Sequence, residues 1–493
     1  MNKLLLLNVL INLEEKKKLN FKKFNPDIKG IHCDSRKISK NFIFVAAKGE
    51  NNDGHKYIGD AIKKGAIFIV IEKKELEKNL KEKKINFIYT KNSKFFLSRI
   101  VANFYVNQPN YISAVTGTNG KTSVAFIANE IWKNCNIKSA FIGTLGLISE
   151  KYKKKLELTT ENSVEIHKIL SILYKKKINN ICCEASSHGL DQYRLDGIKL
   201  DVAAFTNISQ DHFDYHGNFK NYFNSKMRLF LKILKKNGIA IINSDLPETK
   251  KILNLCKKSR IKTFTYGYNS TDLKLITYYE QNNSQKIIIN HKNKIFSYTI
   301  PMIGNFQVYN SLCAICLVYF SGIPIVKCLK AIQNISQIPG RLENIRIPKK
   351  MKKKISIFID YAHTPDALKK SLQTLKKNSF KLSIVFGCGG DRDKKKRPLM
   401  GKIANSLADK IYITDDNPRY ESAKKIRKEI ISHCPKAIEI KSRYLAIKTA
   451  INNCEEGENL LIAGKGHEDY QIIGKKIYKF SDKNTVLKLL KNI

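Results

Sequence analysis

Acidic residues are scarce in this chain: 43 Asp and Glu stand against 89 Lys and Arg over 493 residues, a formal net charge of +46 at pH 7. A field of that sign attracts anions, nucleic acid among them. The basic residues are nevertheless not segregated. They recur in the runs 14–18, 81–84, 151–155, 349–354 and 394–396, among many Ile and Asn. A dedicated nucleic-acid binder concentrates its charge and adds a recognition motif. The runs are therefore read as solvated loops and helix faces within a chain-wide composition bias, with no specific nucleic-acid partner. Long apolar runs are also missing, and none approaches the roughly 20 residues of a membrane span. The apolar run 4–11 is followed directly by Glu14 and Glu15 without a small-residue cleavage site, unlike a secretory leader. The eleven cysteines lack a framework spacing, and Cys182 and Cys183 are adjacent in an apolar run, which suits free thiols in a reducing compartment. Cys313-x-x-Cys316 has redox- or zinc-like spacing but no second ligand pair nearby, so core packing is expected there and no structural metal. Internal repeats are absent. A cytoplasmic protein without membrane insertion is expected.

What is present begins with Val115-Thr116-Gly117-Thr118-Asn119-Gly120-Lys121-Thr122, a glycine-rich turn between an apolar strand and a helical run. Gly117 and Gly120 let the backbone approach an anion, successive N–H groups and the helix N-terminus attract negative charge, Lys121 supplies a point charge, and Thr122 can ligate magnesium. The spacing departs from G-x-x-x-x-G-K-[ST], because position 115 is Val and the glycines lie closer together. Phosphate binding follows, in a particular subset of nucleotide enzymes.

The length suggests about three domains, all of α/β class. Short apolar strands such as 41–47 and 66–71 alternate with helical stretches such as 59–64 in a small N-terminal α/β domain, 1–108. Asn107-Gln108-Pro109-Asn110 breaks the pattern just before the phosphate loop. From there strands ending at Val115, Glu184, Asn207 and Asn243 alternate with helices, as in a doubly wound nucleotide-binding sheet, 109–338. Ile338-Pro339-Gly340-Arg341 marks the second boundary. Buried parallel strands at 355–360, 382–387, 410–414 and 459–463 then predict a third, Rossmann-like domain, 339–493.

Polar residues gather at these strand ends. Glu184 closes a buried strand, where a carboxylate can hold magnesium. Asp211-His212-Phe213-Asp214-Tyr215-His216-Gly217 is dense in groups suited to metal binding or proton transfer. Asp360-Tyr361-Ala362-His363, Gly387-Cys388-Gly389-Gly390-Asp391-Arg392-Asp393 and Gly464-Lys465-Gly466-His467-Glu468 form a rim on the last domain.

These segments occur in the order seen in the Mur ligases, which the chain resembles across all three domains, Asp34-Ser35-Arg36 and Asp53-Gly54-His55 included. The resemblance implies a ligase of peptidoglycan precursor synthesis with an N-terminal UDP-binding domain, a P-loop-type ATP-binding centre and a C-terminal amino-acid domain. ATP would phosphorylate the terminal carboxylate of UDP-MurNAc-L-Ala-D-Glu, and an amine would displace the phosphate to form an amide. By the same resemblance Gly117, Thr118, Asn119, Gly120, Lys121, Thr122, Asn310, Arg341 and Asp360 bind ATP. Lys121, Glu184, His212 and Lys226 are catalytic. Magnesium falls to Thr122, Glu184, His212 and Lys226, the last as a carbamate derived from CO2. Ser35, Thr159, Thr160, Ser186, Gln192 and Arg194 hold the muramoyl dipeptide. Two positions depart from the family: Glu161 replaces a proline after the paired threonines, where loop shape is expected to differ, and Gln307 replaces an asparagine. A monomer is the family's usual state.

Asp416-Asn417-Pro418-Arg419 resembles the signature of diaminopimelate-adding members, with Arg392, Gly464 and Glu468 completing the pocket. An arginine fork binds the second carboxylate that diaminopimelate has and lysine lacks. Such a site should reject lysine by roughly 10⁴ or more, because its guanidinium would be left unpaired. A lysine-adding ligase, a folylpolyglutamate synthetase and, in a different class, a nucleic-acid-binding ATPase are the alternatives.

Overall fold

The computed structural model describes residues 6–10, 25–49, 52–72, 85–281, 283–348, 353–377 and 379–491. The basic runs 14–18 and 81–84, and residues 349–352 of a third, lie outside the described residues.

The first sheet is parallel throughout, in the order β1 (Gly30–His32), β2 (Phe42–Val45), β3 (Ala66–Ile71), β4 (Asn86–Tyr89). Parallel strands are covered on both faces, which is why β2 and β3 read as continuous apolar runs. The expected helix near 59–64 spans Ile58–Lys63. Of the apolar run 4–11, Leu6–Val9 forms one helical turn, and Leu6, Val9 and Leu10 pack into this core.

The second sheet has eleven strands. Its centre is parallel, in the order β12 (Lys262–Gly267), β11 (Leu234–Asn243), β10 (Leu200–Phe205), β5 (Tyr111–Thr116), β9 (Asn180–Glu184), β6 (Ser139–Gly143). Helices cover both faces. Lys121–Asn134 and Asn305–Tyr319 bury Ile131, Trp132, Leu312 and Ile315 against one; Ser163–Lys175 and Phe219–Arg228 bury Ile169, Leu170 and Phe223 against the other. Cys313 and Cys316 are both core residues, and Cys182 and Cys183 lie within β9. The sheet also extends beyond the expected doubly wound centre. β13 (Leu273–Gln281), β14 (Ser284–His291) and β15 (Lys294–Ile300) prolong one side as a meander, and β7 (Gly146–Ser149) and β8 (Lys153–Lys154) prolong the other.

One strand ends earlier than expected, at Phe205 rather than Asn207. Asn207 leaves the ladder because its polar groups are used by the phosphate loop: its carbonyl accepts from Thr118 N at 2.9 Å, its Oδ1 accepts from Asn119 N at 2.9 Å, and its Nδ2 donates to Asn119 O at 3.0 Å.

The third sheet runs β16 (Glu343–Ile345), β17 (Ser356–Asp360), β21 (Asn459–Ala463), β18 (Leu382–Phe386), β19 (Lys410–Ile413), β20 (Ala437–Glu439). All but the edge strand β16 are parallel. Helices Pro365–Lys376 and Lys396–Leu407 cover one face, and Arg443–Asn453 and Asp482–Lys491 the other. A separate hairpin, β22 (Tyr470–Ile473) and β23 (Lys476–Lys479), stands beside Arg419.

Candidate active site

The carboxyl ends of the central strands carry the phosphate loop, the position where doubly wound sheets place ligands. Gly117 and Gly120 have φ of 150° and 89°, conformations that a side chain disfavours. A Cβ on Gly120 would also meet Asn310 Oδ1 at 2.5 Å, so the loop and the helix bearing Asn310 are in direct contact. Lys121 Nζ turns back onto the loop, donating to the carbonyls of Gly117 at 3.0 Å and Thr118 at 2.8 Å.

Thr122 joins two further groups. Its hydroxyl donates to Glu184 Oε2 at 3.0 Å and accepts from Arg341 Nη2 at 3.0 Å. Glu184 is 1 % exposed, and burial pushes its pKa up against the opposing pull of Lys121 and Arg341. Thr144 supplies its other contacts, donating from its amide to Oε1 at 2.8 Å and from its hydroxyl to Oε2 at 3.2 Å. A buried carboxylate beside a hydroxyl at a phosphate loop is an oxygen donor set that fits a hard divalent cation. Among the described residues no group of three or more His, Cys, Asp or Glu side chains forms a cage for a metal. An ion here would depend on phosphate oxygens for the remainder of its shell.

Lys226 is 1 % exposed and forms no ion pair with a described carboxylate. Its Nζ donates to Gly117 O at 2.8 Å and lies 4.4 Å from the Tyr222 ring centroid. Burial, reinforced by Lys121, drives its pKa well below the ordinary lysine value. His212 has a left-handed backbone, contacts Asp211 at 3.3 Å and stacks edge-on to His188 at 4.7 Å. It lies within electrostatic reach of Lys121 and Lys226.

The residues expected at the muramoyl dipeptide adjoin this cluster, with one exception. Thr159 Oγ1 is 3.1 Å from Thr144 Oγ1, and Thr160 Oγ1 donates to Glu184 O at 2.8 Å while accepting from Ser186 N at 2.9 Å. Arg194 donates to Thr160 O at 2.7 Å and to Gln192 Oε1 at 2.7 Å. Ser35 stands apart, in the first domain, where it begins a short 3-10 turn capped by Asp34. Glu161 is buried, and its Oε1 accepts from the amides of Glu157 at 2.7 Å and Leu158 at 3.2 Å. At the other departure, Gln307 accepts from Asn310 Nδ2 at 2.9 Å and so orients that side chain.

The third sheet brings a second cluster together. Arg419, half-buried with φ of 51°, donates to Gly390 O at 2.8 Å and forms no ion pair with a described carboxylate. Burial and the nearby Arg392 both disfavour its charge. Arg392 itself is exposed and, among the described residues, donates to the adjacent Asp391 carbonyl at 2.9 Å. Asn417 Nδ2 donates to Glu468 Oε2 at 3.1 Å, and Pro418 O packs against Gly390. Gly464 has φ of 109°, and a Cβ there would meet Asp416 Oδ2 at 3.1 Å. Burial, then Asp416, raises the pKa of Glu468.

The two clusters are joined through Tyr361. Its hydroxyl is 3.5 Å from Glu468 Oε1, and its ring lies 4.4 Å from the guanidinium of Arg341, which reaches Thr122. Asp360, the residue before it, is buried and accepts from Ser371 Oγ at 2.6 Å. Across the same junction Asn119 Nδ2 donates to Asp366 Oδ2 at 3.0 Å, and Lys155 pairs with Asp469 at 2.8 Å. Thr144, Tyr361 and Lys465 were not among the residues singled out from sequence. Tyr361 and Lys465 lie inside motifs that were, whereas Thr144 follows an ordinary apolar strand and carries no signal.

Two α/β sheets that bring together a phosphate loop, a buried carboxylate and an arginine-bearing rim, with a third sheet packed alongside through Val164 of the helix Ser163–Lys175, define a nucleotide-using enzyme that handles more than one substrate. The family models agree part by part: the Mur ligase family catalytic domain matches 27–105, the Mur ligase middle domain 115–318, and the Mur ligase glutamate ligase domain 340–466. The chain belongs to the Mur ligase family. It is 41 % identical over 474 residues, 94 % of this chain and 96 % of the relative, to the UDP-N-acetylmuramoyl-L-alanyl-D-glutamate-2,6-diaminopimelate ligase of Rickettsia conorii. It is 39 % identical to the ligase of the same name from Agrobacterium fabrum, covering 93 % of this chain and 92 % of that one. A solved structure of a ligase of this name aligns with a TM-score of 0.69 at 28 % identity, covering 99 % of both chains. The MurF ligase of Thermotoga maritima in complex with ADP shares the fold, with a TM-score of 0.63 at 20 % identity over 94 % of this chain and 97 % of that one.

Proposed function

We propose that this chain catalyses ATP-dependent addition of meso-diaminopimelate to UDP-MurNAc-L-Ala-D-Glu through an acyl phosphate, a step in peptidoglycan precursor synthesis. The observation that carries the amino-acid half is Arg419, a half-buried guanidinium without a described carboxylate partner, set beside Glu468 and Asn417. A ligand bearing both a carboxylate and an ammonium at its far end satisfies that set.

A carboxylate resists amine attack because its leaving group is poor. Phosphorylation of the D-Glu carboxyl by ATP supplies a better one. The attacking nitrogen then forms the C–N bond, the C–O bond to phosphate breaks, and inorganic phosphate departs. The protein's part is positioning and charge neutralisation. The backbone amides of Gly117 to Gly120 and the ammonium of Lys121 cradle the phosphates, Arg341 approaches them over Thr122, and Asn310 and Asp360 flank the rest of the nucleotide. Thr159, Thr160, Ser186, Gln192 and Arg194 hold the muramoyl dipeptide, with Ser35 at the uridine end. Magnesium held by Thr122 and Glu184, with a second ion that His212 would help to hold, would offset the charge on the transferred phosphoryl group. Lys226 is a buried amine depressed toward its neutral form, the form that adds to CO2; as a carbamate it becomes an anionic oxygen donor. The proposal includes units at 1–108, 109–338 and 339–493, a monomeric state, cytoplasmic location and no specific nucleic-acid partner. Among the described residues no helix is long and apolar enough to cross a membrane.

The test is phosphate release and product mass with ATP, magnesium and UDP-MurNAc-L-Ala-D-Glu, comparing meso-diaminopimelate with L-lysine. Product with diaminopimelate alone is expected, and Arg419→Ala should lower its use by about 10²-fold or more while leaving ATP affinity near wild type. Product with lysine alone would overturn the pocket assignment. Hydrolysis stimulated by nucleic acid in a salt-sensitive way, without ligation, would replace the reading altogether.

A further inference from the structure

Lys465 has no part in the scheme above, yet its side chain is fully buried at the heart of the amino-acid cluster. Its Nζ donates to Asn417 Oδ1 at 2.9 Å and to Tyr470 O at 2.8 Å, and lies 3.2 Å from Asp416 Oδ1 and 3.7 Å from Glu468 Oε2. One cation thus serves the buried Asp416 and the part-buried Glu468 and fixes the asparagine between them. Removing such a cation would leave both carboxylates seeking another partner: the cation next felt by Asp416 is Arg443, already paired with Asp482, and the one next felt by Glu468 is Arg419.

The charges around the cluster do not cancel. Arg392, Arg419, Lys465 and the part-exposed Lys396 stand against Asp416, Glu468 and the exposed Asp391, whose Oδ2 accepts from Tyr420 N, a surplus of one positive charge. Neighbouring charges are balanced among themselves: Asp469 by Lys155, Asp482 by Arg443, and Glu421 and Glu429 by Arg397 and Lys394. A far end bearing an ammonium and a carboxylate adds no net charge to this pocket. A far end bearing an ammonium alone adds a second surplus charge.

We propose that Lys465 is a specificity-determining positioning residue: by occupying Asp416 and Glu468 it keeps Arg419 available to a ligand carboxylate and leaves a positive pocket that disfavours lysine. The inference rests on the diaminopimelate reading. It concerns selection between amino acids, not phosphoryl transfer.

Steady-state kinetics with both amino acids test it on the wild-type protein, Lys465→Met and Lys465→Arg. In Lys465→Met the ratio of kcat/KM for diaminopimelate over lysine should fall by about tenfold or more, chiefly through KM for diaminopimelate, with KM for ATP nearly unchanged. Lys465→Arg keeps the charge and should retain most of the ratio. An unchanged ratio in a folded Lys465→Met protein that still ligates overturns the inference, as does a loss spread equally over ATP and both amino acids. If Lys465→Met does not fold, Asp416→Asn adds net positive charge and should raise the ratio; a fall or no change is then the refuting result. A wild-type protein that makes no diaminopimelate product removes the underlying reading and the inference with it. Wild-type product with an unaltered ratio in the variant removes the inference alone.

Discussion

At the scale of single residues, Lys226 is the side chain whose surroundings say most. A buried ammonium without an ion-pair partner is costly, and the protein meets that cost by favouring the neutral amine. A buried lysine whose ammonium form is disfavoured is an unusual reagent, open to CO2. Protein equilibrated with 13C-labelled bicarbonate should give a carbamate carbon signal that Lys226→Met lacks, and the variant should lose about 10²-fold or more in kcat. A signal that survives the substitution would reassign the carbamate to another lysine. Sequence could nominate Lys226 only by resemblance, since it is one of many lysines; burial beside Gly117 distinguishes it.

Elements show where the sequence was readable and where it was not. The buried parallel strands β5, β9, β17, β18 and β21 announced themselves as short apolar runs closed by polar residues, because both faces are covered. The meander β13–β15 did not: in β14 every second residue is buried, yet Gln285 and His291 take buried positions while Ile288 takes a less buried one, so residue type does not follow burial, and no motif marks it. The early end of β10 was equally unreadable: Asn207 looks like a strand terminus until its amide is seen holding Asn119. Glu161, which stands where the resemblance leads one to expect a proline, holds the loop before Thr160 through a carboxylate that accepts from two backbone amides. At the phosphate loop, Gly120→Ala places a side chain at φ of 89° and against Asn310. It should cost about 1–3 kcal/mol of local strain and weaken nucleotide binding, measured by calorimetry with ADP; binding equal to wild type would show that the loop adapts.

The whole molecule carries its acid sensitivity in groups buried uncharged. His167, fully buried on the helix Ser163–Lys175 with Nε2 3.1 Å from Asp196 O, has its pKa lowered from 6.5 to about 4 by burial. Protons then bind the unfolded chain more readily than the folded one. The stabilisation is complete above pH 6.5 and lost as pH falls toward 4, on the order of 3 kcal/mol for a shift of this size. Denaturant unfolding at pH 7.5 and 5 should show this loss, and His167→Gln should flatten it; equal slopes would exclude His167 as a source. The same long-range view gives the contact of Tyr361 with Glu468 and Arg341 a meaning in fuel use. Glu468 on the rim and Arg341, which reaches Thr122 at the phosphate loop, share this one aromatic neighbour. Tyr361→Ala is expected to raise ATP hydrolysis without amino acid above the wild-type rate, and an unchanged rate would show that the ring transmits nothing.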